Sequence, residues 1–147
     1  MSAAKAKGTK WETDLVRSLS AFFGGRYGLA PRRVAQEGFQ DTGDIHGIEP
    51  FIGQAKAWKS WEAAIREGLD GAEAQRTRAG AAYGVALVKR ARRSIGDGYA
   101  VMTVATFARL LVRLRRAEAL LAEHAQEALA SHVEETAKDL AGTFPRS

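Results

Sequence analysis

The chain has 147 residues, 46% of them hydrophobic and 27% charged, with 22 Lys/Arg against 17 Asp/Glu for a net charge of +5. This length predicts one domain with a sizeable core, and the composition excludes wholesale disorder. The chain has no cysteine, which removes disulfides, thiolate metal sites and cysteine nucleophiles.

The charge is unevenly spread. Residues 1–116 hold 20 Lys/Arg and 11 Asp/Glu, whereas residues 117–147 hold 2 and 6. A basic body suits a polyanion such as nucleic acid, with the acidic end serving another purpose. The opening Met1 to Lys10 is small and basic with no apolar run behind it, unlike a signal peptide. No stretch reaches the length of a membrane span. A cytoplasmic protein with no membrane partner is therefore expected.

Residues 1–9 are expected to be a flexible basic arm. Thr9, with Glu12 in the capping-box position, predicts the start of a helix. Trp11, Leu15, Leu19 and Phe22 then follow helical spacing until Gly24-Gly25. Pro31 to Glu37 predicts an edge strand and Gly38 to Gly43 is turn-rich. Asp44 to Ile48 and Phe51 to Trp58 predict two strands joined by the Glu49-Pro50 turn. Ser60 caps a long helical stretch in which Trp61, Ala64, Ile65, Leu69, Ala72 and Gln75 recur. Tyr83 to Val88 and Tyr99 to Val104 predict two further strands around Gly96-Asp97-Gly98. Thr106 to Arg116 and Ala117 to Leu140 predict two more helices. The expected fold is α/β: a central mixed sheet of about five strands flanked by helices, with an extra C-terminal helix. The predicted main domain covers 10–116 and the C-terminal helical segment and tail cover 117–147.

Chemistry concentrates in Gly43-Asp44-Ile45 and, ten residues after Asp44, Gln54-Ala55-Lys56. Side chains alternate along a strand, so Ile52, Gln54, Lys56 and Trp58 share one side, and Gly53, Ala55 and Ala57 the other. The small residues on the second side suit a closely packed helix. An acid starting the neighbouring strand can reach Gln54 and Lys56. Carboxylate and carbonyl oxygens suit a hard divalent cation beside a phosphodiester. Lys56 can orient or deprotonate the attacking water, or offset charge developing on phosphate. Gln75 can face this site from its helix. Taken singly, Asp44 also fits a turn, Gln54 and Lys56 a solvated face, and Glu12 a helix cap.

At these residues the chain resembles the PD-(D/E)XK nuclease superfamily. The motif elements are Gly8-x-x-x-Glu12 on the first helix, Gly43-Asp44-Ile45 on a strand and Gln54-Ala55-Lys56 on the next. Lys7-Gly8 with Glu12, Leu15 and Val16 is most similar to the Holliday junction resolvase branch found in archaea and phages. The resemblance covers about the first 105 residues in element order. It implies a restriction-endonuclease-like fold and a homodimer that makes paired nicks in four-way DNA junctions during recombination, using Mg2+ or Mn2+. By position it implies Asp44, Gln54, the Ala55 carbonyl and Glu12 as metal contacts. Glu12, Asp44, Gln54 and Lys56 become the catalytic set. Two departures stand out: Gln54 occupies a position where the family has a carboxylate, and Gln36-Glu37 replaces an expected small hydroxyl residue. An endonuclease acting on duplex or flapped DNA, and a non-catalytic DNA-binding protein on a degenerate nuclease scaffold, are the alternatives.

DNA contacts are expected from three basic groups. Lys5, Lys7 and Lys10 lie in the arm, Arg32 and Arg33 before the acidic hairpin with Lys59 after it, and Lys89, Arg90, Arg92 and Arg93 follow a strand. Such cations grip phosphates without reading sequence. The Arg109, Arg113, Arg115 and Arg116 group can contact DNA or pair with Glu118, Glu123 and Glu127.

Overall fold

The computed structural model of the chain describes residues 2–34 and 43–145. It falls into two compact units, Met1–Met102 with Phe144–Ser147, and Thr103–Thr143.

In the first unit, α1 spans Ala3–Phe23. Its cap is Ser2, whose Oγ accepts from the Lys5 amide, and it ends in the left-handed Gly24. The expected basic arm is thus helical from Ala3 onward, because its alanines and lysines are strong helix formers. Thr9, expected as the cap, lies inside the helix, where its carbonyl accepts from the Thr13 hydroxyl. The buried face carries Trp11, Asp14, Leu15 and Ser18, the i, i+3, i+4, i+7 pattern of a helix laid on a core.

Five strands follow: β1 (Arg32–Arg33), β2 (Ile45–Ile48), β3 (Phe51–Lys56), β4 (Tyr83–Val88) and β5 (Tyr99–Val101). They form one mixed sheet in chain order, antiparallel except for the β3–β4 pair. The α/β architecture expected from the sequence is the one observed. Strands β3 and β5 are shorter than expected, β3 stopping before Trp58 and β5 before Val104. Residues 35–42, including Gln36-Glu37 and most of the turn-rich stretch, lie outside the described residues.

Between β3 and β4 runs α2 (Trp61–Ala79), with the Ser60 hydroxyl accepting from the Ala63 amide. Parallel neighbours need such a crossover. Its buried face, Ala64, Gly68, Ala72 and Gln75, packs on β3 and β4. Ala64, Ala86 and Val88 form the centre of the core, with Ile65, Tyr99 and Val101 around them.

The sidedness of β3 differs from expectation. The close helix lies over the Gln54 and Lys56 side, not over the Gly53, Ala55 and Ala57 side. A Cβ built on Gly68 would sit 3.2 Å from Lys56 Cγ, and one on Gly71 would sit 3.1 Å from Gln54 Oε1. The small residues that permit close packing are on the helix rather than the strand.

The second unit is a helical pair, α3 (Val104–His124) and α4 (Gln126–Ala141). Thr103 caps α3 by accepting from the Thr106 amide. The helix expected to stop at Arg116 runs on to His124, and the break falls at Ala125, which has φ −157° and ψ 68°. Nothing in the Ala/Leu/Glu-rich run marks that position with a glycine or proline. The two compact units part at Met102/Thr103. Glu118 ties the pair together, taking Arg115 at 2.8 Å on its own helix and His132 of α4 at 3.3 Å. Among the described residues no helix is long and apolar enough to cross a membrane.

Candidate active site

Asp44 is placed by its neighbours. Gly43 adopts φ 104°, and a Cβ there would come within 2.6 Å of Ile52 Cγ1. Only glycine enters β2 by that route. The Asp44 amide then donates to the Gly53 carbonyl at 2.9 Å, which docks the residue against β3.

The carboxylate reaches the middle of β3. Asp44 Oδ2 accepts from the Gln54 side-chain amide at 2.9 Å and from the Ala55 backbone amide at 2.8 Å. In an extended strand the N–H and C=O of one residue point to the same side. The Ala55 carbonyl therefore faces the edge that Asp44 occupies. Gln54 is 5% exposed, its carboxamide oxygen lying near Gly71 of α2. Gln75 is buried beside Gly43 rather than aimed into solvent.

Lys56 follows at the end of β3, its Nζ 5.2 Å from the centre of the Trp58 ring, a cation–π contact. Asp44, Gln54, Ala55 and Lys56 all line one hollow of about 900 Å³, together with Glu12 and Trp58. Lys5, Lys7, Arg33 and Lys59 also line it. Helix α1 brings its first turns and Glu12 to this rim, so helical folding of the basic segment is what delivers Lys5 and Lys7 here. Glu12 is not free: its Oε2 takes Arg33 Nε and Nη2, both at 2.9 Å.

Other expected contacts lie elsewhere. Lys10 points to Asp14, paired at 2.8 Å, and Arg32 is exposed on β1 outside the hollow. Arg90 turns back over Tyr99, 5.0 Å from the ring centre, and donates to the Asp97 carbonyl. Lys89, Arg92 and Arg93 line a separate cavity. Sequence reasoning missed the roles of Gly68 and Gly71. Their i, i+3 spacing on one helix face was the available signal.

No group of three or more His, Cys, Asp or Glu side chains among the described residues could hold a metal ion. The oxygen donors at hand are the Asp44 carboxylate, the Ala55 carbonyl and, after rotation of its amide, Gln54 Oε1. One carboxylate with neutral oxygens fits magnesium, which keeps several waters and binds substrate phosphates. The same donors suit manganese. The fit is therefore to a weakly held cation rather than to a dedicated cage.

No protein-family model matches the chain, and no curated protein or solved structure matches it either.

Proposed function

We propose that the protein is a metal-dependent DNA endonuclease, most specifically a Holliday junction resolvase of the PD-(D/E)XK type. The observation that carries this is the convergence of Asp44, Gln54, the Ala55 backbone and Lys56 at the end of β3, in a hollow rimmed by Lys5, Lys7, Arg33 and Lys59. A polyanion is drawn to that rim.

In the proposed reaction water attacks phosphorus, one strand P–O bond breaks, and the departing deoxyribose oxygen leaves with a proton. Magnesium or manganese held by Asp44, Gln54 and the Ala55 carbonyl would supply Lewis-acid stabilisation of the phosphate. Lys56 donates to the attacking water or to a phosphate oxygen, held in position by Trp58. Glu12 would help position the cation once Arg33 turns from it to a phosphate oxygen. A homodimer belongs to the same proposal. Helix α3 exposes Phe107, Leu111 and Leu114 at i, i+4, i+7 spacing, an apolar face for a second copy, and two-fold symmetry matches a four-way junction.

A non-catalytic DNA-binding role is favoured by a specific observation. Asp44 is satisfied by Gln54 and Ala55, and Glu12 by Arg33, so both acids have partners without any cation. Cleavage of an end-labelled four-way junction and a matched linear duplex, with magnesium, manganese or EDTA, separates these roles. Paired nicks on the junction alone, lost with EDTA, are expected. Equal cutting of linear duplex would redirect the proposal to a duplex endonuclease. Binding without cutting in either metal would leave the non-catalytic role.

A further inference from the structure

We propose that the cavity between α1 and the β4–β5 connection is a second phosphate subsite, holding a backbone phosphate of the same DNA a few nucleotides from the one in the hollow. It rests on the DNA-binding part of the function proposed above and not on its chemistry. The cavity measures about 480 Å³ and is lined by Lys89, Arg92 and Arg93 from the connection and by Trp11 and Asp14 from α1.

Three observations support it. First, Lys89, Arg92 and Arg93 are exposed and make no ion pair among the described residues. Arg90, between them in sequence, is instead spent on Tyr99 and the Asp97 carbonyl. The connection therefore sorts its four cations, one bracing the loop and three facing a concave surface. Unpartnered guanidinium groups are suited to phosphate oxygens.

Second, the acids in the cavity wall are already engaged. Asp14 is paired with Lys10 at 2.8 Å and lies 3.9 Å from Arg17, while Asp97 Oδ2 accepts from the Ser94 hydroxyl at 2.8 Å. Their partners weaken any repulsion of an incoming anion.

Third, the cavity is next to the candidate active site by construction. Lys56 is in register with Val88, and the Lys89 amide donates to the Lys56 carbonyl at 2.9 Å. Adjacent strands lie about 4.8 Å apart, and a DNA strand rises about 3.4 Å per nucleotide. Helix α1 lines both depressions, with Glu12 on the hollow and Trp11 and Asp14 on the cavity. A strand seated at Lys56 and crossing α1 meets Lys89, Arg92 and Arg93 within a few phosphates.

The test is equilibrium binding in EDTA, where no cutting intervenes, of four-way junction and linear duplex across a range of salt. Lys89→Ala/Arg92→Ala/Arg93→Ala is compared with the wild type after thermal melting confirms that both fold. The salt slope of log K is expected to fall by about one in the variant. A walk of single neutral methylphosphonates along each strand supplies the second readout. Wild-type affinity is expected to drop by ~10-fold at one phosphate position, and the variant is expected to be indifferent to that position. An unchanged salt slope, or a methylphosphonate effect that persists in the variant, would overturn the subsite. A slope smaller by about one in the variant of a protein that never cuts DNA would sustain the subsite while removing the nuclease.

Discussion

The Gln54 side-chain amide donates to Asp44 Oδ2 at 2.9 Å, and this bond makes the candidate site self-sufficient without a cation. A carboxylate at position 54 would have no proton to donate and would set two negative charges at that distance. Like charges so close raise one pKa and destabilise the fold until a cation or proton intervenes. Gln54→Glu is therefore expected to lower stability in EDTA by about 1–3 kcal/mol and to recover it with magnesium. Thermal melts with and without the metal measure both effects. Equal melting of Gln54→Glu and wild type in EDTA would show that the Gln54–Asp44 bond does not hold the site.

Asp44→Asn and Lys56→Ala separate chemistry from binding. Each is expected to reduce cleavage by at least ~100-fold, the scale of losing an electrostatic contact to the transition state. Junction affinity in EDTA should stay within a few-fold of wild type, because Lys5, Lys7, Arg33 and Lys59 remain around the hollow. Single-turnover cleavage and binding titrations supply the two numbers. Normal nicking by Asp44→Asn would end the assignment of this site.

Much of this arrangement was legible in the sequence. Period-two and buried-run patterns located β2 to β5, and Ser60 located the start of α2. The Asp44, Gln54 and Lys56 convergence followed from strand alternation. Three things were not legible, each for a physical reason. Helix α1 begins at Ala3 because local propensity in an Ala/Lys segment outweighs its disorder-like composition. The side of β3 that receives α2 is decided by where Gly68 and Gly71 cross it, a tertiary fact with no period in β3 itself. The sorting of Arg90 from Arg92 and Arg93 depends on Tyr99, which arrives from the next strand.

Gly71 and Gly68 predict opposite outcomes for the same substitution. Alanine in a helix interior gains up to about 1 kcal/mol over glycine. At Gly71 the new methyl would meet Gln54 Oε1 at 3.1 Å, the end of a side chain that can turn. Gly71→Ala is expected to keep or raise stability while cleavage falls, because Gln54 is pushed from its position. At Gly68 the methyl would meet Ala86 Cβ at 3.2 Å, in a tightly packed core. Gly68→Ala is expected to lose stability, by about 1–3 kcal/mol for overpacking. Denaturant unfolding of the two variants, beside their cleavage rates, tests the contrast. A stable and fully active Gly71→Ala would show that the helix crossing does not set the Gln54 amide.

Glu12 and Arg33 predict a trade between binding and catalysis. Both Arg33 contacts fall on one Glu12 oxygen at 2.9 Å, and the pair is partly exposed. Its contribution to stability is therefore small, on the order of 0–1 kcal/mol. Its larger effect is on charge, since Glu12 offsets a cation on the rim of the hollow. Glu12→Gln removes that offset and leaves Arg33 available to phosphate. DNA affinity in EDTA is expected to rise several-fold, with a salt slope steeper by up to about one. Cleavage in magnesium is expected to fall, because the carboxylate that helps position the cation is gone. Arg33→Ala is expected to do the reverse, weakening binding several-fold, because it leaves the Glu12 carboxylate unmatched on the rim. Fluorescence titrations across salt, paired with cleavage assays, check all of these. A Glu12→Gln protein that binds DNA no tighter than wild type would mean that Arg33 does not face phosphate, and that this ion pair only joins α1 to β1.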